Sequence, residues 1–230
     1  MGPVNSTDDR TPAGATRETP VALRLLVVGV LLAFAVSPTA VLVTLLGFGP
    51  VPAAFGTLSA VFVGPAVSAA LFALGEKARD DGLSPAAAFG RGYRLNAADV
   101  LKLWLPTLLV LAVLAFTVAD ALAQGAPPWA IGLGMGLFLL VVLWLVQATV
   151  ISSFFAFRGR DVARLALYFL GRLPRVTLVV LVTLVLAAMF AWLTSVALLA
   201  LLGVLWVAVL LRSEKPLLAE VRLRFVEGAD

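Results

Sequence analysis

Long uncharged runs, separated by short stretches of charge or of proline and glycine, set the pattern of this chain. Residues 25–46, 53–74, 97–121 and 129–151 are predominantly apolar, each of about the twenty residues needed to cross roughly 30 Å of hydrocarbon. A fifth run, Val176 to Leu211, holds 36 residues without a charge. As one helix it would measure roughly 54 Å, so it is expected to fold back at Trp192, Thr194 and Ser195 into spans 174–193 and 195–211. The pattern predicts an all-α, polytopic transmembrane helix bundle of about six spans, with two short interfacial helices on the cytosolic side. Residues 1–20 are a polar, disordered cytosolic tail, 21–212 a single helical membrane domain, and 213–230 a charged cytosolic tail.

Local signals refine these runs. Ser37-Pro38 predicts a kink in the first span, and Gly47 to Pro52 a tight turn. Gly56, Ala60, Gly64 and Ser68 recur every four residues and should form one small-residue face for a neighbouring helix, with Leu71 turned to lipid. Glu76, Lys77, Arg79, Asp80, Asp81 and Gly82 mark the return to water or headgroups. Ser84-Pro85 reads as an N-cap with proline at the first helical position. The short helix it opens carries Phe89 and Tyr93 on one side and Arg91 and Arg94 on the other, as an interfacial helix would. Gly90 and Gly92 count against it, at roughly 1 kcal/mol each relative to alanine. Asn96 with Asp99 resembles a capping box and predicts a separate helix from Ala97, with Lys102 snorkelling and Trp104 at the membrane interface. Gly132 and Gly136 suggest a second close helix contact. A second interfacial helix is expected between Arg158 and Arg175, with Val162, Leu165, Ala166 and Phe169 at helical spacing, Asp161 near its start and Gly171 near its end.

Several of these residues together resemble the YesL-like family of small prokaryotic integral-membrane proteins. The likeness is carried by Gly64, Pro65, Ala66, Ala70 and Leu71, followed by Phe89, Tyr93, Arg94 and Asn96. In that family a GPA-x-x-AL helix precedes a cytosolic F-x-x-[FY]-[KR]-x-N segment. The match covers about a seventh of the chain, and apolar sequence from Val41 to Val63 stands where the family usually has almost none. The resemblance implies a companion of carbohydrate uptake and utilisation systems, without an assigned molecular activity.

Composition narrows the classes. The chain is 62% hydrophobic and 13% charged, against roughly 45–50% and 25% in soluble domains. Its net charge of +4 therefore reads as loop asymmetry rather than a nucleic-acid patch. With no cysteine and no histidine, disulfides, thiol nucleophiles, His-based triads and the usual zinc and haem sites are excluded, and no cofactor or enzymatic activity is expected. The literal matches to a myristoylation site at Gly2 and a glycosylation sequon at Asn5 lie in a tail expected to stay in the cytoplasm of a prokaryote, and are set aside. The first apolar run is too long for the h-region of a cleaved signal peptide.

Charge also orients the bundle. In a six-span arrangement all 17 basic residues fall on one side, in the two tails and in the segments around Glu76–Asn96 and Arg158–Arg175, and the opposite turns hold none. By the positive-inside rule both termini are cytoplasmic, in the cell (plasma) membrane. The spans hold no charged residue in their interiors; Gln147 is the strongest polar group there, expected to bond between helices, and Asp120 sits at an outer helix end. The leading expectation is thus a non-enzymatic accessory or regulatory protein whose cytosolic face meets a carbohydrate transport system or anionic lipid. Arg91, Arg94, Arg164 and Arg172 are its candidate docking face, because orientation alone requires no aromatic and aliphatic residues such as Phe89, Tyr93, Leu165 and Phe169 beside them. A transporter or channel for a small neutral solute, which needs no buried charge, is the alternative.

Overall fold

The computed structural model describes residues 20–154, 159–172, 177–182, 184–185, 203 and 207–209, and every regular element among them is a helix. Four stretches are long and apolar enough to cross a membrane: Val21–Leu46, Pro50–Leu74, Pro85–Ala123 and Pro128–Ser153. The expected spans 174–193 and 195–211, the turn at Trp192, Thr194 and Ser195, and both tails lie wholly or largely outside the described residues.

Helix α1 (Val21–Leu46) runs through Pro38. Proline has no amide to give to the carbonyl of Phe34, and the hydroxyl of Ser37 donates to that carbonyl instead, at 2.8 Å. The freed group is thus satisfied within its own helix. Gly47 and Gly49, with φ of 74° and 136°, make the turn that reverses the chain.

The second crossing is α2 (Pro50–Ser59), a 3₁₀ turn at Ala60–Phe62, and α3 (Val63–Leu74). Pro65 explains the tighter winding: it offers no N–H to Val61, and its ring crowds that carbonyl. The hydroxyl of Thr39 in α1 donates to the Ser59 carbonyl at 2.7 Å and braces the irregular turn from outside. This turn also changes the helical phase, so the expected four-residue stripe is split. A Cβ on Gly56 would lie 3.5 Å from Val43 of α1, whereas Gly64 and Ser68 turn toward the later helices.

Helix α3 is the hub. Nine of its twelve residues are buried, four of them alanine and one glycine. Leu71, expected to face lipid, is fully buried among Val28, Ala88, Phe89 and Val150. After the short α4 (Glu76–Asp80), α5 (Pro85–Ala123) runs unbroken for 39 residues, roughly 58 Å. Ser84 does cap it, accepting from the Ala87 amide at 3.4 Å. The separate interfacial helix and the new start at Ala97 are not observed: Asn96 lies inside α5. Gly92 has a role that offsets its helix propensity, since a Cβ there would come within 2.8 Å of Phe72 in α3.

Helix α6 (Pro128–Phe154) returns beside α5. Gly132 and Gly136 face open space and do not form the expected close contact; Gly134 does, with Val118 only 2.7 Å from where its Cβ would be. Helix α7 (Gly159–Arg172) is amphipathic, with Asp161 in its first turn, and buries Val162, Leu165, Ala166 and Phe169 against Ala148 and Ile151 of α6. Trp144 ties the two helices by donating to the Ala163 carbonyl at 3.1 Å. Large apolar side chains such as Phe34, Val113 and Leu133 stand exposed on the outward faces, as a bundle dissolved in lipid requires.

Candidate functional site

Of the residues that carry the family resemblance, those of α3 with Phe89 and Asn96 converge on one packed region, while Tyr93 and Arg94 are exposed. Gly64, Pro65, Ala66, Ala70 and Leu71 are all buried in α3. Gly64 is there because of Trp104: a Cβ at position 64 would lie 2.5 Å from the Cδ2 atom of that indole, well inside van der Waals contact. Trp104 is 8% exposed and donates from Nε1 to the Thr149 hydroxyl at 2.8 Å, so it is a core residue and not the interfacial anchor expected from its place in the sequence.

One helical turn from Gly64 lies a buried polar knot. The hydroxyls of Ser153 in α6 and Ser68 in α3 share a hydrogen bond at 2.7 Å, Ser153 donating onward to the Thr149 carbonyl at 2.6 Å, and the Asn96 side chain of α5 donates to the Ser68 hydroxyl at 3.2 Å and to the Ser153 carbonyl at 3.3 Å. Three helices therefore meet through one asparagine and two serines. An asparagine with an acidic residue three positions on resembles a helix start; here its amide serves a tertiary contact, and Asp99 pairs with Lys102 at 2.9 Å instead. Ser153 and Thr149 had no sequence signal beyond being polar within an apolar run.

The four candidate docking arginines, Arg91, Arg94, Arg164 and Arg172, are all exposed. Arg91 lies 3.6 Å from Asp81, and among the described residues the other three have no ion pair. The apolar residues expected beside them are mostly consumed inside the protein. Phe89 is buried against α3, and Leu165 and Phe169 against α6, so their helical spacing reports internal packing. Tyr93 of α5 remains 37% exposed, and α7 shows Leu167 and Tyr168 outward instead.

Two further polar groups stand out. Arg24 is buried within α1, and its Nε donates to the Ala73 carbonyl at the end of α3 at 2.8 Å. Gln147, fully buried in α6, donates from Nε2 to the Thr177 hydroxyl at 3.3 Å, which is the interhelical bond expected of it. Asp120 accepts from Gln124 at 2.5 Å, a bond local to the end of α5. Comparisons with family models, curated proteins and solved structures gave no match to this chain. The YesL likeness therefore rests on the residues quoted for it.

Proposed function

We propose that this protein is a six-span component of the plasma membrane, with both termini in the cytoplasm, that acts as a non-enzymatic accessory factor through its arginine-bearing end. The observation that carries this reading is the exposure of Arg91, Arg94, Arg164 and Arg172 on two helices whose apolar sides are already occupied. Arg91 shares its charge with Asp81 at 3.6 Å, and the charge of Arg94, Arg164 and Arg172 faces outward for a partner or for anionic headgroups. The link to carbohydrate uptake comes from the YesL-like resemblance alone.

Because Phe89, Leu165 and Phe169 are structural, the decisive variant changes only outward residues: Tyr93→Ala, Leu167→Ala and Tyr168→Ala together, with every arginine kept. It is expected to insert and accumulate like the parent, yet to lose co-purification with a carbohydrate permease and any growth effect on that carbohydrate. Full retention of both would overturn the accessory reading. The hydroxyl and amide groups between α3, α5 and α6 favour, as a second reading, passage of a small neutral solute. Movement of such a solute into liposomes by the purified protein alone would establish that reading in its place.

A further inference from the structure

Arg24 spends only part of its hydrogen-bonding capacity. It is 6% exposed, its Nε is occupied by the Ala73 carbonyl, and its buried Nη2 has no partner. The adjacent carbonyl, Leu74, accepts from Nη2 of Arg79 at 3.3 Å. Two guanidinium groups thus sit on consecutive carbonyls at the end of α3. The helix terminus offers them only about half a negative charge. Among the residues whose side chains are described, neither Arg24 nor Arg79 forms an ion pair, and Asp81 lies 3.6 Å from Arg91. Arg79 is exposed, so the pair reaches the surface on one side.

A buried guanidinium arm with a second guanidinium beside it calls for an anion with several oxygens, and a phosphate group matches the planar fork of arginine. The position suits it as well, because basic pockets between spanning helices at the membrane edge receive lipid headgroups. We propose that Arg24 and Arg79 together bind a phosphate group, borne by a phospholipid headgroup or free in solution. This site is separate from the docking arginines and does not depend on them.

The test uses the full-length protein in dodecyl maltoside, which contains no phosphate. Phosphatidylglycerol is titrated in one arm and inorganic phosphate, at constant ionic strength, in the other, while thermal unfolding is followed by far-ultraviolet circular dichroism. The midpoint is expected to rise in at least one arm; a rise confined to the lipid arm assigns a headgroup, and one confined to the phosphate arm a free anion. In Arg79→Gln the half-saturating concentration should increase roughly tenfold, the loss of one charge-assisted bond. Arg24→Lys, which keeps the charge and loses the fork, should show a similar shift. Arg160→Gln, an exposed arginine on α7, should match the parent. The proposal is overturned by no rise in either arm, by an unchanged titration in Arg79→Gln, or by an equal loss in Arg160→Gln. Because Arg79 is exposed, its variant decides the question even if Arg24→Lys fails to fold.

Discussion

Around α3, beside local bonds such as Thr149 to Leu145, four side-chain hydrogen bonds join residues far apart in the chain: Arg24 to Ala73, Ser68 to Ser153, Asn96 to Ser153 and Trp104 to Thr149. Toward the loop between α5 and α6 they turn back on their own helices. Thr44 and Thr117 donate to carbonyls three or four residues earlier, and Gln124 to Asp120. The glycines follow the same division in part: Gly64 and Gly92 are filled by neighbouring aromatic rings and Gly132 and Gly136 face nothing, while Gly134 alone of the second group packs closely, against Val118. Lipid is as apolar as leucine, so apolar contact alone scarcely distinguishes one helix register from another in a membrane. Close approach and polar bonds between helices do so, and this protein concentrates both around α3. That half carries most of what fixes register; in the other, Gly134 against Val118 is the close approach.

The contrast can be broken most severely at Gly64. Gly64→Leu must displace the Trp104 ring and with it the bond to Thr149, costing about 3 kcal/mol or more. Loss of accumulation, or a large fall in thermal midpoint, is the expected result, and a parent-like midpoint would show that the α3–α5 contact does not hold. Next in size is the polar knot. Ser153→Ala removes the hydroxyl bonded to Ser68 and is expected to cost roughly 0.6–1.7 kcal/mol, the range for hydrogen bonds between membrane helices. Asn96→Ala should cost a similar amount and add less than its full effect in the double variant, because both act on Ser68. A double-mutant cycle that is strictly additive would separate the two residues. The smallest effect is expected at Gly136→Leu, where there is open space and helix propensity improves, so stability should stay level or rise slightly. A fall comparable to that of Gly64→Leu would erase the distinction between the two halves.

What was legible in the sequence is what local chemistry decides. The turn at Gly47 to Gly49, the Ser84 cap and the amphipathic α7 follow from glycine's access to positive φ, a hydroxyl at an N-cap and a 3.6-residue period. The errors came where a residue has two uses and a distant partner selects one. Asn96 with Asp99 is a plausible helix start until Ser68 and Ser153 are brought beside it. Trp104 near the start of an apolar run resembles an interface anchor, and only the missing side chain at Gly64 makes room for it in the core. Leu71, expected at lipid, lies seven residues after Gly64 in α3 and so shares its face, and the 3.6-residue period already places it in the core. Small residues four apart are necessary for close helix contact and not sufficient, as Gly132 and Gly136 demonstrate.

The seat of Trp104 has an optical consequence. Its indole is sealed from both water and lipid, with one face against the Gly64 backbone and its N–H held by Thr149. Trp129 stands largely exposed, so the two fluorophores occupy surroundings of different polarity. With Trp129 and the other tryptophans replaced by phenylalanine, the emission of Trp104 becomes a gauge of the gap between α3 and α5, read without any attached label. Whatever binds at either end of the bundle can then be asked whether it changes that spacing.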